Sequence, residues 1–217
     1  MPPRLHTGGR FRAWLGRRLG GDEELGDRAW RRIIHGAGAL VLAYYLVPTD
    51  FFVVAPKEYV LLAVLGVALL LELLRHVAGL QLPTIRPYEE HRVASFVFYA
   101  VALAGAILLF PLPIAAAVIL GVAWVDPLVG ELRLRGVRGA YLWGVPAVTY
   151  FLLAVVGMAV LGGWPLVDSL GLAMLAALLG VASERPKLPW LDDDLAMTFV
   201  PALALYGVGV VWLGLPH

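Results

Sequence analysis

The chain has 217 residues, 60% of them hydrophobic and 15% charged, with a formal net charge of +1 and a mean hydropathy of +0.81. That balance excludes an ordinary soluble domain, and apolar runs that are continuous rather than alternating argue against a β-barrel. Zero cysteines exclude a thiol nucleophile, a disulfide framework and a cysteine-ligated metal.

Residues 1–30 read as a basic N-terminal segment ahead of a transmembrane domain over 31–217, with eight Arg against four acids in residues 1–32. No cleavable signal is evident, because the first apolar run is already of span length. Within the segment, Arg10–Gly20 carries Phe11, Trp14, Leu15 and Leu19 among four arginines. That spacing fits a helix lying in the interface on anionic lipid, or else a basic tail. A bilayer core of about 30 Å needs roughly 20 apolar residues per helix. On that ruler seven spans follow: Ile33–Ala55, Tyr59–Leu74, Val93–Phe110, Ile114–Val125, Tyr141–Leu161, Leu166–Ala182 and Leu195–Leu215. The expectation is an all-α, polytopic integral membrane protein.

Basic residues flanking spans favour the cytoplasmic side, which places the N-terminus inside. Alternate crossings then put every one of the 17 Lys and Arg residues except Lys57 on that side. The acids gather there too, and acids contribute little to orientation. A cytoplasmic active face is therefore expected.

The fourth run, Ile114–Val125, has 12 residues, about 18 Å of a ~30 Å core. Asp126 is thus expected well below the membrane surface. Pro127 follows it, and a residue before proline resists the α conformation, so the helix is expected to break or kink there. A carboxylate at depth is costly and points to function, and Glu131, Arg133 and Arg135 follow it. Glu72, Arg75 and His76 form an i, i+3, i+4 group, open between a helix-end ion pair and a functional site. The loop from Arg86 to Arg92 carries the adjacent carboxylates Glu89 and Glu90, a pair suited to a divalent metal or a nucleotide. Arg31 and His35 share a helix face, and Gly36 and Gly38 permit close approach of a helix or a lipid. Asp192, Asp193 and Asp194 precede the last span. One of them suits an N-cap, and three exceed what a cap needs. Oxygen-rich clusters hold Mg²⁺, especially when phosphate oxygens complete the shell. Glu184, Arg185 and Lys187 lie just upstream. Carboxylates for metal beside arginines for phosphate point to phosphoryl transfer on a lipid, without a Walker A or kinase-type glycine-rich loop.

At these residues the sequence resembles the CTP-dependent lipid-alcohol kinases, the family of dolichol kinase, phytol kinase and the yeast-type diacylglycerol kinase, near the phosphatidate cytidylyltransferases. Arg31-Arg32-Ile33-Ile34-His35 resembles the basic-His opening of a family helix. Glu89-Glu90 ahead of Ser95–Tyr99, Asp126 with Gly130 and Gly136, and Glu184 followed by Asp192–Asp194 are similar to its later motifs, in the same order. The chain departs from the pattern at Val125, Pro127 and Asp194. The resemblance implies transfer of the CTP γ-phosphate to a polyprenol-type alcohol such as dolichol, phytol or geranylgeraniol, with Mg²⁺ as cofactor. Asp126 would bind the metal or accept the hydroxyl proton, and Asp192 and Asp193, with Glu131, would complete the metal site. Arg32, Arg133, Arg135, Arg138 and Lys187 would hold phosphate. His35, with Glu89 or Glu90, would orient nucleotide or lipid head, and Glu184 and Asp194 belong to the same signature. Two alternatives stand beside this: a cytidylyltransferase making a CDP-activated lipid, and a non-enzymatic transporter or scaffold. The nearly bare outer face disfavours a transporter.

Overall fold

The structure is a computed structural model that describes residues 23–48, 56–79, 85, 92–184 and 192–216. The candidates Glu89, Glu90 and Lys187, and the Arg10–Gly20 segment, lie outside these residues. The described chain is helical throughout and contains no strand. Helix α1, Glu23–Ala37, starts inside the basic segment and continues as 3₁₀ turns over Gly38–Leu46. Then come α2, Glu58–Ala78, α3, Ser95–Leu109, and α4, Leu112–Leu134. Helix α5, Ala140–Val155, runs on as π turns over Val156–Leu161. Helix α6 is Leu166–Ser183, and α7, Asp193–Leu205, also ends in π turns over Tyr206–Trp212.

Five of these helices are long and apolar enough to cross a membrane: α2, α4, α6, and α5 and α7 with their π extensions. The expected seven runs all contain helix among the described residues, and five of them carry a helix of this length and hydropathy. Helix α3 has 15 residues, about 22 Å, short of a full crossing. Helix α1 is largely polar before its 3₁₀ extension.

Of the break or kink expected at Pro127, the break does not occur: α4 is one helix of 23 residues with the proline inside it. Proline removes one amide donor, so only the carbonyl of Ala123 loses its helical partner. Val125 and Val129, on either side, are 0% and 1% exposed. Unwinding there would strand several backbone groups in an apolar interior, a larger cost than one missing bond. Asp126 therefore projects from the wall of a continuous helix, with about two further turns beyond it.

Helix α4 is the centre of the bundle: 67% of its apolar window is buried, against 17% for α2. Small residues allow this. Ala115, Ala116, Ala117 and Ala123 are fully buried along it, and small side chains let helix backbones approach in an apolar medium. Gly157, in the π turns after α5, lies so near that a Cβ there would be 2.5 Å from the amide nitrogen of Ala117. Backbone cannot step aside as a flexible side chain can. Gly157→Val is accordingly expected to cost at least about 1–3 kcal/mol, read as a fall in Tm in detergent. An unchanged Tm would show that the two helices do not meet this closely.

The ring of Tyr150 on α5 is fully buried and fills the space left by Gly121 of α4 and Gly180 of α6. Its hydroxyl donates to the carbonyl of Met197 on α7 at 3.2 Å. One side chain thus joins four helices.

The Glu72, Arg75, His76 group proves to be a pin between α2 and α3. Arg75 donates from Nε and Nη2 to Glu72 at 2.9 and 2.6 Å, and from Nη2 to the carbonyl of Arg92 at 2.6 Å. Glu72 also accepts the amide of Ala94, the residue capping α3, at 3.1 Å. Both charged side chains are buried. His76 stands beside both, its ring nitrogens 3.4 Å from Glu72 Oε1 and from Arg75 Nη2.

Candidate functional site

Three helices bring one titratable side chain each to a common point. His35 stands in the last turn of α1, Asp126 on the wall of α4, and Asp194 in the first turn of α7. The Nε2 atom of His35 is 3.2 Å from Oδ1 of Asp194 and 3.6 Å from Oδ2 of Asp126. Ligand atoms of all three lie within 4.8 Å of one another. Among the described residues these form the one such group with metal-ligating potential. The Asp194 side chain is 5% exposed and that of Asp126 is 32% exposed. Asp194 anchors the cluster while Asp126 opens it to the surroundings.

The imidazole is held from its face and from its backbone. The ring of Tyr99 stacks on that of His35 with centroids 4.2 Å apart and planes 16° from parallel. The Tyr99 hydroxyl donates to the main-chain carbonyl of His35 at 2.6 Å. Gly38 makes this possible, since a Cβ there would collide with the Tyr99 hydroxyl and lie 2.6 Å from Cζ. Gly36 has open space around it, so of the two glycines expected to allow close approach, Gly38 alone does so.

The acidic triplet divides its labour. Asp192 is the N-cap of α7, its carboxylate accepting the amide of Asp194 at 3.1 Å. A cap oxygen bonded in this way satisfies a donor that the helix leaves open. Asp194, two residues on, turns into the cluster, and Asp193 is half-buried outside it. The sequence favours Asp192 and Asp193 as the metal pair, whereas the fold sets Asp194 beside Asp126. Burial, and then the neighbouring charge of Asp194, push the Asp192 carboxyl up to about 7, against the lowering effect of its bond to the Asp194 amide. Carboxylates are crowded here.

The arginines are engaged with acids. Arg32 pairs with Glu131, which also accepts from Arg135 Nε at 2.6 Å. Arg133 makes a two-pronged bond to Glu184, at 2.5 and 2.6 Å, and Glu184 is 1% exposed. Glu131 therefore bridges two guanidiniums and lies outside the His35 group, and Glu184 is the buried anchor of Arg133. Arg138 is exposed in the turn after α4. Glu131, Arg133, Arg135 and Arg138 follow Asp126 toward the C-terminal end of α4 and beyond it, and Arg32 and Glu184 are paired to them there.

Mg²⁺ takes oxygen ligands, and one or two carboxylates plus phosphate oxygens suffice for it. Asp126 and Asp194 supply that pair, so the donors fit a divalent cation. The residue that sequence reasoning misses is Tyr99, whose aromatic character at the start of an uncharged helix is indistinguishable from core filling. Comparison of the chain with protein-family models, with curated proteins and with solved structures returns no match.

Proposed function

We propose that the protein is a lipid-alcohol phosphotransferase of the CTP-dependent kind, with its reaction centre at His35, Asp126 and Asp194. The observation that supports it is the meeting of two carboxylates and an imidazole, from helices far apart in sequence, with arginines toward the same end of α4, on an apolar bundle. Phosphoryl transfer asks chiefly for positioning and charge neutralisation, and this arrangement offers both.

A divalent cation, Mg²⁺ by the resemblance, would be held by Asp126 and Asp194 and would neutralise charge developing on the transferred phosphoryl group. Asp126, the more open carboxylate, and His35 stand where a substrate hydroxyl can reach them. As that oxygen bonds to the γ-phosphorus, the bond to the β–γ bridging oxygen breaks and CDP leaves. The hydroxyl proton passes to Asp126 or His35. Arg32 and Arg135, which share Glu131, are placed to exchange part of that pairing for phosphate. The apolar helix walls would receive the chain of a polyprenol-type alcohol, and the charged end of the bundle would face the cytoplasm, where CTP is available.

The test is purified protein with Mg²⁺, labelled CTP and a panel of lipid alcohols. Label from the γ-phosphate in lipid supports the kinase. Label from the α-phosphate or cytidine in lipid would replace it with a cytidylyltransferase, and no transfer to any lipid removes both.

A further inference from the structure

We infer that His35 is itself a ligand, and that the His35–Asp126–Asp194 group is a three-donor site for a borderline first-row ion of the Zn²⁺ or Co²⁺ kind, whereas Mg²⁺ would use its two carboxylates alone. This rests on reading the group as a cation site and is independent of the reaction assigned to it. Three features carry it.

The first is spacing. Donors that each sit about 2.1 Å from one ion are about 3.0 Å apart at a right angle and about 3.4 Å apart at the tetrahedral angle. The imidazole nitrogen lies 3.2 and 3.6 Å from the two carboxylate oxygens, two separations within a few tenths of an ångström of that geometry, and all three donors lie within 4.8 Å of one another. The second is donor chemistry. Magnesium seldom takes nitrogen, whereas imidazole suits zinc and its neighbours. One imidazole with two carboxylates leaves a coordination position open for water or a phosphate oxygen, as catalytic zinc sites do. The third is rigidity. The stacked Tyr99 ring and its bond to the His35 carbonyl fix the imidazole, and the N-cap at Asp192 fixes the turn bearing Asp194. A preformed set of donors loses little freedom on binding.

Nitrogen ligation makes a differential prediction that a purely carboxylate site does not. Untagged full-length protein in detergent is titrated calorimetrically with Zn²⁺ and with Mg²⁺, for wild type, His35→Asn and the control His76→Asn. Zn²⁺ affinity is expected to fall at least as far as when an outer-shell partner is lost, about 10–100-fold, in His35→Asn, while Mg²⁺ affinity changes less than about threefold and His76→Asn alters neither. Equal weakening for both ions, no weakening for either, or no Zn²⁺ binding by wild type overturns the inference. Should His35→Asn not fold, Co²⁺-loaded wild type decides. A shifted, exchangeable imidazole N–H resonance supports ligation, and its absence contradicts it. Tight Zn²⁺ binding without phosphoryl transfer on any metal would leave this site standing and remove the kinase. Transfer with Mg²⁺ but no effect of His35→Asn on Zn²⁺ would do the reverse.

Discussion

Asp194→Asn is expected to lower phosphoryl transfer by about 10²–10³-fold, the range seen when one preorganised electrostatic group is removed from a reaction centre. The same change at Asp193, whose carboxylate lies outside the His35 cluster, is expected to cost less than about tenfold. Asp192→Asn keeps an oxygen for the Asp194 amide and so retains the cap. It is expected to fall between the other two. The ranking is the informative part, because three adjacent aspartates are chemically equivalent until the helix starts. Once Asp192 takes the cap, the turn of the helix carries Asp194 round to His35 and Asp126. Transfer rates for the three variants, with Tm measured alongside, check it. An Asp193 variant weaker than the Asp194 variant would show that α7 begins in another register.

A large stability effect is expected away from the cluster, at Arg133. Its guanidinium makes two bonds to a carboxylate that is 1% exposed. The Arg133 side chain is itself 39% exposed, so its removal opens Glu184 to solvent in part. The cost is that of losing charge-assisted bonds, about 1.5–3 kcal/mol, rather than that of breaking a fully buried pair. Arg133→Ala is expected to lose stability on that scale. Arg135→Ala, whose side chain is 71% exposed, is expected to lose about 0–1 kcal/mol. Thermal melts of the two variants in the same detergent make the comparison. Recovery of Arg133→Ala by a second change, Glu184→Leu, would show that the buried carboxylate carries the cost. Similar losses at Arg133 and Arg135 would mean that Glu184 is solvated after all.

The helical character and most helix positions are legible in the sequence, because an apolar run of span length has few alternatives to helix. The behaviour at Pro127 is not. A proline and its preceding residue speak only for local backbone preference, and the burial of Val125 and Val129 outweighs that preference. The site is legible in part. His35 and Asp126 stand out as polar residues beside apolar runs, and the fold brings them together. Which aspartate joins them depends on where α7 starts, a matter of one residue that composition does not encode. The arginines look alike in sequence, all basic and all near one end. Only the fold shows Arg133 committed to Glu184 while Arg32 and Arg135 share Glu131. Tyr99 is hidden for a similar reason, since its role comes from a ring contact across helices and from the missing side chain of Gly38.

The central claim, that the charged end of this bundle carries out phosphoryl transfer at the meeting point of α1, α4 and α7, is tested most directly by Asp126→Asn. The carboxamide is isosteric, and at 32% exposure the side chain bears little packing load. The variant is expected to keep the wild-type Tm and helical content while transfer of the CTP γ-phosphate to a lipid alcohol falls to background. Wild-type transfer by the folded variant would contradict the account.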